Sequence, residues 1–375
     1  MRILHLIATG QRRGAEVFAS DLVAALDAQD LHQRVAVLHG VPPWAVGFGA
    51  PVTGLRADRH PLPVSPLQAG ALRALRRLLR EWRPDLIQAH GGEPLKYAVV
   101  AAASRRPPVV YRRIGSVSWV STGPKRAFYA RLVRRAARVV AVAGSVRAET
   151  IDAFGLPPQQ VVTIPNGVDP GRLEPTRGRD ATRAALGVAS RATVVLSLGA
   201  LSWEKDPLGH LAATAPLLRR RPGAVHLFAG DGPLRADLQA AAGREGLEGR
   251  VLVLGSRDDV GDVLAASDLL LFASRTEGMP ASVIEAGMRG LPVAGMALTG
   301  VPEVVEDGVT GLLVPPGDHD GVRTAVWRLL DDPWLRASMG DAARVRCRDR
   351  YGIAAVAAAY RAVYEELAGA AWVAS

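Results

Sequence analysis

Cysteine occurs once in 375 residues, at Cys347, so the chain can build neither an internal disulfide nor a cysteine metal cluster, which agrees with a reducing compartment. Aromatic side chains are only 5% of residues against 49% hydrophobic overall, so the interior is assembled from Ala, Val and Leu, as in a globular protein. No apolar run approaches the ~18 to 20 residues that a spanning helix needs. The opening MRILHLIATGQRRGAE has too short an apolar run and no small-residue cleavage site, so it reads as a first strand rather than a signal peptide; the expected location is cytoplasmic. The glycine-rich dinucleotide and P-loop fingerprints, the H-E-x-x-H zinc motif and the G-x-S-x-G elbow are all missing, which removes the anchors of those chemistries.

What is present in excess is positive charge, and it is unevenly placed. Residues 1 to 165 hold 23 basic and 10 acidic side chains, the remainder 23 and 26, so the net charge of +10 belongs to the first half. Its clusters are LRALRRLLREWR (72 to 83), YRRIG (111 to 115) and PKRAFYARLVRRAARVV (124 to 140), the last two flanking Trp119. Solvated helix faces are one explanation and an anionic membrane surface another. Nucleic acid is disfavoured, because no basic motif is interleaved with stacking aromatics.

A chain of this length favours two domains. Short apolar runs alternate with helical stretches throughout, the pattern of parallel α/β sheets with helices on both faces. Strands are expected at 2–7, 34–39, 85–90, 107–113, 138–143 and 161–164, then at 193–199, 224–230, 250–255, 268–274, 291–295 and 311–314. The Pro- and Gly-rich PNGVDPGRLEPTRGRD (165 to 180) is the natural boundary. The expectation is therefore two doubly wound, Rossmann-like domains facing each other across a cleft: residues 1–168, residues 169–350, and a helix over 351–375 packing back towards the first. Ligands of such sheets lie beyond the carboxyl ends of the strands, where Gly199, Gly230, Gly232 and Gly255 punctuate the loops.

One of those loops carries two acids. In SRTEGMPASVIEAG (274 to 287) a strand ends, Glu277 sits in the loop, a helix begins around Pro280, and Glu285 lies one and a half turns into it. A helix start aims free N–H groups and a positive dipole end at whatever lies over the loop, which suits an anion. Glu277 can accept hydrogen bonds from sugar hydroxyls. A ribose diol would pair both oxygens of Glu285. The competing reading makes both acids ordinary surface groups bridged to a Lys or Arg. Lys205, in LSLGALSWEKDP (196 to 207), could neutralise a leaving diphosphate.

Taken in order, GDGP (230 to 233), VLG (253 to 255), SRTEGMPASVIEAG and TGVPEVVEDGVTGLLVPPGD resemble the family 4 retaining glycosyltransferases of the GT-B fold. In the first half GAE (14 to 16), RPDLIQAH (83 to 90) and TIPNGVD (163 to 169) extend the likeness to nearly the whole chain. The resemblance implies a donor-binding second domain and an acceptor-binding first one. It places Glu277, with the backbone around Gly278, Met279 and Pro280, on the donor sugar, Glu285 on the ribose, Lys205 on the diphosphate and His90 near the reacting carbon. Without the resemblance, His90 reads equally as a satisfied polar residue at a strand end. Gly14, Gly230 and Gly232 join the donor loops, and Arg257 lies where the base, uracil or guanine, would be read. No metal or other cofactor is implied, since a helix N-terminus and Lys205 can carry the leaving charge.

Two positions depart from the family pattern. Ala200 stands where an arginine is usual, and Arg13-Gly14 replaces Gly-Gly in the first loop. Arg13 could supply the missing guanidinium, or be solvated or paired with Glu16. Asn166 and Asp169 read as a turn, with Asn in the left-handed conformation. The expected activity is retaining transfer from a UDP- or GDP-linked sugar to an unknown acceptor, such as a lipid-linked or polysaccharide precursor. A nucleotide-sugar epimerase of the same fold and a non-catalytic sugar-nucleotide binder are the alternatives.

Overall fold

The computed structural model describes residues 1–27, 31–40, 42–57, 67–102, 107–115 and 123–373; Trp119 lies outside them. Two compact units emerge, Met1–Gly167 with Ile353–Ser375, and Val168–Gly352. The first alternates β1 (Arg2–Thr9), α1 (Gly14–Ala25), β2 (His32–His39), β3 (Val52–Ala57), α2 (Ala69–Trp82), β4 (Leu86–His90), α3 (Gly92–Ala101), β5 (Val109–Arg113), α4 (Gly123–Val133), β6 (Arg138–Ala141), α5 (Gly144–Phe154) and β7 (Val161–Thr163). Its strands lie parallel in the order β3-β2-β1-β4-β5-β6-β7. Helices cover both faces, so the inner strands β4 and β5 are buried along their whole length.

The second unit follows the same logic with α6 (Arg179–Ala185), β8 (Thr193–Leu198), α7 (Pro207–Arg220), β9 (Ala224–Ala229), α8 (Arg235–Arg244), β10 (Val251–Gly255), α9 (Val260–Ala266), β11 (Leu269–Phe272), α10 (Ala281–Met288), β12 (Val293–Met296), α11 (Val301–Val304), β13 (Gly311–Val314), α12 (His319–Asp331) and α13 (Pro333–Tyr351). Its parallel order is β10-β9-β8-β11-β12-β13. The last helix, α14 (Ile353–Val373), returns to the first unit, where Val356, Tyr360 and Tyr364 join the core with Ile3, Phe18, Leu22 and Val140. The Tyr364 hydroxyl donates to Gln88 Oε1 at 2.8 Å. No helix among the described residues is long and apolar enough to cross a membrane.

Two expectations need correcting. Strand β3 was not foreseen: VTGLRA contains Gly54 and a positive-φ Arg56, lies at the sheet edge and is only partly buried, so it lacks the apolar run that marks the others. The segment after Gly167, where the two units divide, is fixed in place. Leu173 is buried, and Thr176 Oγ1 and the Arg177 amide donate to the Asp262 carboxylate at 2.6 and 2.8 Å, fastening the segment to α9. Gly261 permits the approach, because a Cβ there would collide with the Leu173 carbonyl. Finally, Arg112 and Arg113 end the interior strand β5 and are 1% and 3% exposed, so the arginines of YRRIG contribute nothing to a basic surface.

Candidate active site

The loops at the carboxyl edge of the second sheet are bound to one another. After β8 the chain makes a short turn over Trp203–Lys205, and Asp206 caps α7 by accepting the Gly209 amide at 3.3 Å. After β11 the Arg275 amide donates to the Glu204 carbonyl at 2.8 Å, and the Arg275 guanidinium pairs with Asp206 at 3.0 Å. These contacts bring Lys205 onto Glu277, and the ammonium donates directly to Glu277 Oε1. Two residues picked out from distant parts of the sequence therefore form an ion pair. Pro280 is the N-cap of α10, one residue before the first helical position, and has no side-chain cap; Met279 beside it is buried.

A buried chain of hydrogen bonds holds this loop from below. The Ala273 amide donates to His210 Nε2 at 3.0 Å, so the His210 proton must sit on Nδ1, which faces Ser197 Oγ at 2.7 Å. Ser197 then donates to His226 Nε2 at 2.9 Å, and His226 Nδ1–H donates to Thr214 Oγ1 at 2.8 Å. Thr214 donates onward to the His210 carbonyl at 3.1 Å. Every direction follows from the first amide. Burial, opposed by Asp206, brings the His210 pKa down to about 4, and burial drives His226 well below its usual value, so both stay neutral.

Glu285 is 8% exposed between the fully buried Ile284 and Ala286. Its partner is Arg172, whose Nη2 donates to Oε1 at 2.8 Å. Both acids of the motif are thus paired with cations, as the competing reading of the sequence allowed, while one of those cations is the lysine expected at the diphosphate. Gly230 and Gly232 lie where the loop after β9 presses on the loop after β8; a Cβ on Gly230 would strike the Gly199 carbonyl. Arg257 is committed to Asp259 through two bonds of 2.7 and 2.5 Å. Gly278 lies between Glu277 and Met279 in the same loop, and Ala200 is exposed.

In the first unit His90 is the last residue of β4 and is 2% exposed. The Gln33 amide nitrogen donates to the Val23 carbonyl at 2.9 Å, which turns Gln33 Oε1 towards His5 Nε2 at 3.1 Å. His5 Nε2 therefore carries its proton, and His5 Nδ1 accepts from His90 Nε2 at 3.2 Å. The lone pair of His90 is consequently on Nδ1. Burial, with His5 and Arg112 nearby, keeps the His90 pKa well below the ordinary value. Arg112 lies over the Phe18 ring at 3.7 Å and donates to Asn166 Oδ1 at 2.6 Å. Asn166 is thus a buried acceptor and not a left-handed turn residue, whereas Asp169 does bond locally, accepting the Gly171 amide at 2.9 Å. Arg13 is the exposed N-cap of α1 just ahead of Gly14; burial raises the pKa of nearby Glu16, which Arg13 and the Thr9 hydroxyl, at 3.1 Å, oppose.

The sequence reading missed Arg172, Asp206, His210 and Arg275. Arg172 stood in the segment read as the domain boundary, Asp206 and Arg275 stood inside quoted motifs without being given a role, and His210 belongs to no motif.

Comparison with known proteins assigns both halves. Residues 12–172 match the description Glycosyltransferase Family 4, and residues 192–332 match Glycosyl transferases group 1. The alpha-D-kanosaminyltransferase of Streptomyces kanamyceticus is 29% identical over 76% of this chain and 71% of its own length. A UDP-Gal:alpha-D-GlcNAc-diphosphoundecaprenol alpha-1,3-galactosyltransferase of Escherichia coli is 28% identical over 71% of each. Among solved structures, Anabaena HepE in complex with UDP and glucose superposes with a TM-score of 0.83 at 24% identity, covering 97% of this chain and 99% of that one.

Proposed function

The chain belongs to the family 4 glycosyltransferases, enzymes of the GT-B fold, and from that premise we propose that it moves a sugar from a UDP- or GDP-linked donor to an acceptor hydroxyl with retention at the anomeric carbon. The observation that carries the reading is the Lys205–Glu277 pair beside the side-chain-uncapped start of α10, with Glu285 just over one turn into that helix. In this reading an arriving diphosphate takes the Lys205 ammonium and the α10 dipole, and Glu277 is released to accept hydroxyl protons of the sugar.

The acceptor oxygen bonds to the anomeric carbon as the carbon–oxygen bond to the diphosphate breaks on the same face. The acceptor proton passes to the departing diphosphate. His90, neutral and with its lone pair on Nδ1, is read as a hydrogen-bond acceptor for a sugar hydroxyl. Arg13 is read as the second cation in place of the arginine absent at Ala200. The leaving charge is assigned to these groups and not to a metal ion, so turnover is expected to survive EDTA.

The acceptor is assigned to the first unit, as a lipid-linked or polysaccharide precursor at the inner face of a membrane. Support comes from α2, where Arg73, Arg76, Arg77 and Arg80 are exposed at helical spacing on one stripe. A thermal-shift screen of UDP- and GDP-sugars tests the donor. A ligand at 100 times its Kd adds about 2.7 kcal/mol, so the true donor raises Tm by several degrees. No shift with any nucleotide sugar would refute the proposal.

A further inference from the structure

We infer that Arg172 is a positioning residue that sets the preference of the site for ribonucleotides over 2′-deoxyribonucleotides; this rests on the reading of Glu285 as the ribose-binding acid. The segment carrying Arg172 is fixed at several points. The Gly171 amide is bonded to Asp169 Oδ1 at 2.9 Å, Leu173 is buried, and Thr176 and Arg177 hold Asp262. From that base Arg172 Nη2 reaches Glu285 Oε1 at 2.8 Å, with the two side chains 18% and 11% exposed.

A second link sets the register. Glu174, two residues after Arg172, pairs with Arg289 at 3.3 Å, and Arg289 is the C-cap of α10, four residues beyond Glu285. The two crossed pairs clamp this segment to the face of α10 that carries Glu285. Glu285 is therefore held by one oxygen and in one orientation, while Arg172 is its only protein partner among the described residues. A carboxylate held in this way can accept O–H donors from a vicinal diol without first losing its own rotamer freedom. Released from Arg172, it would have to be ordered by the ligand, and the contribution of each hydroxyl would shrink.

The test uses full-length protein and calorimetric titration of UDP, 2′-deoxy-UDP, GDP and 2′-deoxy-GDP. Wild type is expected to bind the ribo form of its nucleotide about tenfold or more tightly than the deoxy form, the usual loss for one hydrogen bond to a charged group. Arg172→Ala is expected to shrink that ratio to about threefold or less, and Arg172→Lys to restore part of it, since an ammonium can still hold one oxygen. Circular dichroism establishes that each variant is folded, and Arg172→Gln replaces the alanine variant if that one is not. If Glu285→Ala abolishes the ratio while every Arg172 variant preserves it, the inference is overturned and the ribose reading stands. Should Glu285→Ala leave the ratio untouched, or wild type bind none of the four, the ribose reading fails and the inference with it.

Discussion

Replacing His210 with leucine removes the acceptor of the Ala273 amide and the donor to Ser197 in a single change. Ala273 is 2% exposed, so its N–H would be left without a partner, which costs about 1–3 kcal/mol. Ser197 keeps His226 as its acceptor, so its loss is nearer one ordinary bond of about 1 kcal/mol. The leucine side chain recovers about 1–2 kcal/mol through apolar burial, leaving a net loss of about 2 kcal/mol. For a domain of this size that lowers Tm by about 4–8 °C in differential scanning calorimetry. Glu277 lies four residues beyond the released amide, so donor affinity is expected to fall as well. Glutamine, whose amide both donates and accepts, should retain more of both quantities. If His210→Leu left Tm and donor affinity unchanged, the buried chain would have no part in holding the loop.

Acid should weaken the fold before the carboxylates titrate. His5 and His210 are brought by burial to about 4 against an ordinary 6.5, so between those values the unfolded chain binds protons that the folded one refuses. Stability is then lost progressively as pH falls from 6.5 towards 4, by about 3 kcal/mol for each histidine at pH 4; urea denaturation at pH 7, 5.5 and 4.5 checks this, and a flat profile contradicts it. Cys347 is buried against Gly287 and its thiol is pushed up to about 12, chiefly by burial, so an aromatic disulfide reagent should leave the native protein unlabelled and react once urea unfolds it. Rapid labelling of the native protein would place the thiol elsewhere.

The strands were legible where burial on both faces demanded a mostly apolar run, as in LLLF and TVVLSL. Edge strand β3 escaped because its exposed side tolerates glycine and a strained arginine. In the candidate site, the residues in short motifs could be read from the chain itself: Lys205 after one strand, Glu277 and Glu285 after another. Their partners could not. Arg172 and Glu285 are separated by 113 positions, and His210 and Ala273 by 63, so only the strand order brings them together. Arg112 and Arg113 show the converse, since two adjacent arginines read as surface charge until the sheet places them on a buried interior strand.

The central claim is that Lys205 holds the diphosphate of an activated sugar and Glu277 holds the sugar itself. Calorimetric titration of Lys205→Ala and Glu277→Gln, each with the nucleotide sugar and with the free nucleoside diphosphate, separates the two roles. The account predicts that Lys205→Ala loses affinity for both ligands by about tenfold or more, whereas Glu277→Gln weakens only the nucleotide sugar. Wild-type affinity of both variants for both ligands would contradict it.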